Sequence, residues 1–162
     1  MVATTVSATY GVYLPAFVDA AIGVFDTMLG LAISTGKPSI GGRDRVEAEI
    51  SGIIGLSGDI KGMVVLSLGT EVALNATEAL LTERHNEVDA QVADTVGELT
   101  NMVAGMAKGK LPGSLTMSLP SVVMGNSHCI VFPSEVTPVV IPFDCPWGNV
   151  IVEFGLADAA NQ

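Results

Sequence analysis

An apolar side chain recurs every three or four positions along the middle of this sequence, and no other pattern constrains the fold as strongly. The successive intervals of four, four, three, four and three residues match one face of an α-helix. They predict a long helix over about 87–110 with a continuous buried seam. The residues of the seam are Val88, Val92, Val96, Leu99, Val103 and Met106.

The chain before this helix contains a second helical pattern and a hairpin pattern. Pro15 suits the first turn of the first helix, and "STGKPSIGGRDR" has the composition of a loop. Next, "VEAEISGIIG" alternates apolar and polar residues, "LSGDIKG" supplies a turn, and "MVVLSLG" predicts a second strand. Thr70 is expected to cap a short helix with Glu71 in its first turn. The apolar face of the first helix is predicted to hold Phe17, Ala21, Val24, Met28 and Leu31.

Strand patterns also fill the chain after the long helix, from Leu115 to Leu156. Here "GNVIVEFG" (148–155) repeats the flanking glycines and apolar centre of "GMVVLSLG" (62–69), which suggests a degenerate internal duplication with pseudo-two-fold symmetry. The strands are grouped after helices, without regular strand–helix–strand alternation. The sequence therefore predicts a single α+β domain over 1–162, in two layers, with the helices packed on one face of a largely antiparallel sheet.

Charge and hydropathy narrow the kinds of partner. Seven Lys and Arg against seventeen Asp and Glu give a net charge of −10, which repels nucleic acid and anionic lipid. The chain is 49% hydrophobic, but its longest uncharged run, 111–134, is broken by three prolines and is unlike a membrane span. No membrane partner is expected. Without a secretory signal pattern at the N-terminus, a cytoplasmic location is expected.

Several chemistries find no support in the sequence. His85 and His128 lie far apart and beside no cluster of ligands, so no metal site is expected. Cys129 follows His128 in a predicted strand, which would point the two side chains to opposite faces, and Cys145 is read as a small core or strand residue. Trp147, in a turn, is expected to be a half-buried structural aromatic.

A polar stripe runs along the predicted long helix, in "DTVGELTNMVAG". At about 100° per residue, Asp94, Glu98 and Asn101 fall within roughly 60° of one another, with the apolar seam centred about 150° away. Gly105 continues the stripe and Gly97 flanks it, although glycine within a helix costs about 1 kcal/mol relative to alanine. Spacing alone favours the solvated face of an amphipathic helix. The alternatives are close approach by another molecule or a requirement of helix packing.

Four segments of the chain together resemble the CheX branch of the CheC, CheX and FliY chemotaxis phosphatases. The family's signature is Asp or Ser, then Glu, then Asn, then a later Pro, and it is met by Asp94, Glu98, Asn101 and Pro120. The interval from Asn101 to Pro120 is about one helical turn shorter than is usual in the family. The first helix lacks the second Glu and Asn pair of CheC-like members, which implies one site per chain. The segments are "STGKPS" (34–39), "IGLSGDIKGMVVLSL" (54–68), "DTVGELTNMVAG" (94–105) and "LPSVVMG" (119–125).

The resemblance implies a CheC-like fold and a phosphatase acting on the aspartyl phosphate of a CheY-type response regulator. Asn101 would orient the attacking water, and Glu98 would contact the regulator's active-site lysine. Asp94, Gly97 and Gly105 would belong to the partner-binding surface, with Gly105 giving clearance. The chain would bind no cofactor of its own, because Mg²⁺ is expected on the phosphorylated regulator. A homodimer is implied as well.

Two other functions would use the same helix differently. A non-catalytic module that binds a response regulator, or a flagellar-switch-like component, would use it as a docking ridge. A purely structural dimerisation domain would bind no regulator.

Overall fold

Helices and groups of strands follow one another along the chain. The computed structural model describes residues 2–41 and 48–159, with the backbone alone for residues 2–10. The helices are α1 (Val2–Leu29), α2 (Thr70–Leu81) and α3 (Ala90–Lys108). The strands are β1 (Ser34–Thr35), β2 (Ser39–Ile40), β3 (Ala48–Gly58), β4 (Ile60–Leu68), β5 (Leu115–Met117), β6 (Ser121–His128), β7 (Val139–Asp144) and β8 (Val150–Asp158).

The described strands form one sheet in which every pairing is antiparallel. The order is β1–β7–β8–β4–β3–β5, with β2 also on β7 and β6 also on β3. The α+β prediction with a largely antiparallel sheet is confirmed. The segment predicted as a loop before β3 contains the short strands β1 and β2, and its last residues lie outside the described ranges.

The predicted hairpin forms between β3 and β4, with Ile50 opposite Leu68 and Leu56 opposite Gly62. Its turn is tighter than predicted, because β3 continues to Gly58, which adopts φ +120°. Such a positive φ favours glycine. The hairpin of β7 and β8 then meets β4 through β8, placing Leu66 opposite Val152. The sequence echo also equates these two positions, but common origin of the two halves stays a prediction.

The core lies between the helices and one face of the sheet. The seam of α3 is fully buried at Val92, Val96, Leu99 and Val103, as predicted. Met106 is an exception, with 43% exposure, because its thioether lies over Gly23 of α1 at the margin of the helix layer. Met28 is likewise exposed at 37%.

Helix α1 is longer than predicted and supplies a large part of the core. It begins at Val2, so Pro15 lies inside it and not in its first turn. The segment Gly11–Leu29 is long and apolar enough, by length and composition alone, to cross a membrane, and 39% of it is buried in the fold. Phe17 is fully buried and stacks on Phe154 of β8, with ring centroids 4.4 Å apart. The buried residues of this segment belong to the core, from Ala16 to Leu29.

Acidic side chains stabilise the N-termini of the other two helices. Gly69, and not Thr70, is the N-cap residue of α2, and the Glu49 carboxylate of β3 accepts hydrogen bonds from the Thr70 amide, at 2.7 Å, and from the Thr70 hydroxyl. Asp89 caps α3 by accepting from the Val92 amide at 3.0 Å. These hydrogen bonds hold the pKa of each carboxyl below its usual value. The predicted cap was wrong because Thr70 is already the first residue of the helix, and a carboxylate from a distant strand accepts its amide hydrogen.

The outer face of the sheet, turned away from the helices, is also partly covered. A Cβ at Gly155 would lie 2.7 Å from the Phe132 ring, which shows that the segment between β6 and β7 crosses this face. Beneath it Glu153 is 8% exposed between its cross-strand neighbours Val65 and Val140. Burial raises the pKa of the Glu153 carboxyl to about 7.

We expect the free energy of unfolding to fall as the pH rises from about 4.5 to about 7. In this range Glu153 is ionised in the unfolded chain and protonated in the folded one, so folding takes up a proton. The loss should be on the order of 2 kcal/mol, and Glu153→Gln should not show it. Urea denaturation of both proteins at pH 5 and pH 8 measures the difference. The same pH dependence in both would contradict the role of Glu153.

Candidate functional site

Helix α3 and the beginning of β6 border an open groove of about 450 Å³. Three of the predicted site residues, Asp94, Gly97 and Glu98, line it together with Pro120. Asn101 and Gly105 are not among the lining residues. The shorter interval between Asn101 and Pro120 therefore still brings this proline against the helix. The remaining lining residues are Ala93 and Val122.

Gly52 of β3 allows α3 to lie close to the sheet, and Gly97 of α3 is in contact with β6. A Cβ at Gly52 of β3 would overlap the Thr100 side chain, whose hydroxyl donates to the Val96 carbonyl at 2.6 Å. A Cβ at Gly97 would lie 3.4 Å from Cγ2 of Val122 and 3.6 Å from Cγ of Pro120. These contacts fix which side of α3 faces the sheet and leave the opposite side outward.

The polar stripe occupies that outward side. Asp94 and Glu98 are exposed, and Asn101 and Gly105 are half-buried. In the part of the chain that the structure describes, neither Glu98 nor Asn101 takes part in a side-chain hydrogen bond or a salt bridge. Both groups are therefore available to another molecule.

The two glycines beside the stripe differ in environment. Gly97 is buried and packs against β6, so its flank of the helix is not bare, contrary to the sequence-based expectation. At Gly105 a Cβ would meet only the Met117 methyl at 3.7 Å, an ordinary van der Waals contact. The Cβ contacts at both positions are of ordinary van der Waals length, so packing within the described chain does not by itself require glycine at 97 or at 105.

A break between β5 and β6 forms the other rim of the groove. Ser118 holds it in place, because its hydroxyl accepts from the Gly55 amide and its own amide donates to the Gly55 carbonyl, both at 2.9 Å. The next residue, Leu119, is 88% exposed. Leu119 is not among the residues predicted from the sequence to belong to the site. A Leu-Pro pair between two strand patterns was the available signal.

The histidines and cysteines take no part in the groove lining. His128, at the end of β6, lies 2.8 Å through Nε2 from the Ser51 hydroxyl, while its Nδ1 donates to the Gly125 carbonyl at 2.7 Å. His85 pairs with Asp89 at 2.7 Å. Cys145 and Trp147 are partly buried against the core, as predicted. Over residues 2–41 and 48–159, no three His, Cys, Asp or Glu side chains are grouped to hold a metal ion.

Helices on one face of an antiparallel sheet, with an acid and amide stripe facing outward beside a proline, define a domain of the CheC-like class. A CheC-like superfamily protein from Shewanella sp. PV-4 has this fold, with a TM-score of 0.84 and 30% identity, covering 90% of this chain and 97% of the other. The chain belongs to the chemotaxis phosphatase CheX family, whose model matches residues 50–144.

Two further relatives have names that include the response regulator CheY. The CheY-P phosphatase CheX of Thermotoga maritima is 33% identical over 117 residues, which are 67% of this chain and 76% of that protein. The crystal structure of a CheX–CheY–BeF3–Mg²⁺ complex from Borrelia burgdorferi matches with a TM-score of 0.77 and 27% identity, covering 90% of this chain and 98% of the matched one.

Proposed function

We propose that this protein hydrolyses the aspartyl phosphate of a CheY-type response regulator, with Glu98 and Asn101 as the residues that enter the regulator's site. The observation that carries the proposal is their placement on the outward side of α3, beside the groove at Pro120, with no partner among the described residues. Family membership and the phosphatase name of the Thermotoga maritima relative support the same function.

The reaction requires water to attack phosphorus in line with the bond to the aspartate oxygen. That bond breaks, and the products are the free carboxylate and inorganic phosphate. The side-chain amide of Asn101 can both accept from and donate to the water, and it adds no charge beside the phosphoryl oxygens. Holding the water in the attacking geometry is where the rate enhancement arises.

Glu98 would pair with the lysine beside the phosphoaspartate of the regulator in a charge-assisted contact that fixes the register of the two proteins. Asp94, exposed one turn earlier, would extend the same acidic edge. The regulator would supply the Mg²⁺ that neutralises phosphoryl charge. This division explains how a protein of net charge −10 can act on a phosphate.

The direct test is the lifetime of phosphorylated receivers. Each CheY-like receiver of the same genome would be phosphorylated with a small phosphodonor, freed of donor, and followed with and without a substoichiometric amount of this protein. We expect multiple turnovers on at least one receiver. Binding without faster phosphate loss would instead support a non-catalytic docking module, and no binding a structural domain.

We also propose that the protein is a homodimer located in the cytoplasm. Among the described strands β6 pairs only with β3, and an edge strand of this kind offers backbone groups to a second copy. Sedimentation showing only monomer at micromolar concentration would count against the dimer.

Gly105→Ala separates stability from function. The methyl group makes only an ordinary contact with Met117, and alanine favours the helix by about 1 kcal/mol, so we expect thermal stability to rise. Phosphatase activity should fall several-fold if the regulator approaches the backbone there. Thermal melting and the lifetime assay measure the two effects. Unchanged activity in Gly105→Ala would show that Gly105 does not provide clearance for the regulator.

A further inference from the structure

We propose that Leu119 is a second docking contact of this protein, an apolar anchor that the response regulator covers when its phosphoaspartate reaches Asn101, and that it contributes to the choice of regulator. The inference rests on the proposed function and adds the apolar part of the docking surface.

Leu119 is exposed and held in place at the same time. Its side chain is 88% exposed, while the preceding Ser118 makes two hydrogen bonds to Gly55, and the Ser118 hydroxyl also donates to the Leu119 carbonyl at 3.0 Å. The ring of the following Pro120 fixes the backbone angle φ of that residue. When a partner covers the Leu119 side chain, the side chain loses rotamer freedom but the backbone is already ordered, which lowers the entropic cost of binding.

The position of Leu119 links it to the groove. Pro120, the next residue, lines the groove together with Asp94 and Glu98 and lies against Gly97 of α3, so the backbone of Leu119 adjoins the groove. A protein that places a phosphoaspartate beside Asn101 must cover this region. An apolar anchor with charged groups around it is the usual composition of a protein–protein contact.

The acidic rim favours a regulator over a second copy of this chain. Asp94 and Glu98 border the groove and are exposed, and two copies of a chain with net charge −10 would bring like charges together there. A regulator that carries Mg²⁺ and a lysine at its phosphorylation site complements the same edge. The occupant we propose is therefore the phosphorylated receiver domain.

The test is the dependence of phosphatase rate on regulator concentration for Leu119→Ala. Burial of a leucine side chain corresponds to about 10-fold or more in affinity. We expect KM to rise about 10-fold with kcat within about 2-fold, and Kd for the regulator activated by beryllofluoride and Mg²⁺ to rise in parallel. Leu119→Met, which conserves apolar volume, should restore most of the affinity.

Val131→Ala is the matched control. Val131 is also an apolar residue with high exposure, 80%, but it lies in the segment that crosses the outer face, and its replacement should leave KM unchanged. An unchanged KM in Leu119→Ala would overturn the inference. If Leu119→Ala lost self-association while KM stayed unchanged, the inference would also be overturned, because Leu119 would then contact a second copy of this chain. Failure of the wild type to accelerate phosphate loss would instead overturn the proposed function.

Discussion

Asn101→Ala is expected to slow phosphate release by about 100-fold or more while leaving regulator binding within about 2-fold. The amide is a neutral group, so under the proposed mechanism its removal would take away the orientation of the attacking water and little binding energy. Misplacement of a reacting group by about 1 Å costs rates of this size. Single-turnover decay of the phosphorylated regulator, at saturating phosphatase, measures the chemical step alone.

Glu98→Ala provides the contrast on the same helix. Loss of the Glu98 carboxylate should weaken regulator binding and phosphate release together, because its proposed contact with the regulator's lysine would fix the register of the two proteins. Asp94→Asn, one turn away and equally exposed, is the control for a general loss of negative charge. Full activity in Asn101→Ala would end the proposed mechanism, whatever the result for Glu98.

Phe17→Ala is expected to lower the free energy of unfolding by about 3–5 kcal/mol. The ring is fully buried and stacks on Phe154, so truncation loses its apolar contacts and opens a cavity between α1 and the sheet. A domain stabilised by 5–15 kcal/mol loses a large part of that by this one change. Urea denaturation monitored by circular dichroism measures the effect.

Val12→Ala is the control in the same helix. Val12 is 53% exposed, and surface changes of this kind usually stay within about 0.5 kcal/mol. Equal effects of the two substitutions would contradict the assignment of α1 as a core helix.

The parts of the fold that were predicted correctly are those whose burial repeats along the chain. The seam of α3 and the β3–β4 hairpin depend on periodic contacts with one apolar layer, so local spacing was sufficient. The errors occur where a distant segment determines the environment. The Glu49 carboxylate, and not the Thr70 side chain, accepts a hydrogen bond at the start of α2, and Ser51, a polar position of the alternating pattern, is buried and bonded to Ser67 at 2.8 Å.

The same division applies to the candidate site. Periodicity placed Asp94, Glu98 and Asn101 on one side of a helix, and the family resemblance supplied their proposed roles. The groove could not be derived, because it depends on Pro120 reaching α3 and on Ser118 bonding to Gly55, contacts between residues far apart in sequence. The environments of Gly97 and Gly105 differ for the same reason.

The central pairing of β4 with β8 has a consequence for how the molecule is made. Leu66 pairs with Val152, which lies 86 residues later in the chain. The sheet is therefore completed only after nearly all described residues have left the ribosome. Helix α3 is synthesised between these strands, and the sheet on which it packs is complete only after β8 has been made. Long-range pairings of this kind slow folding. The surface offered to the regulator is therefore expected to appear late and all at once, and partly synthesised chains should be inactive.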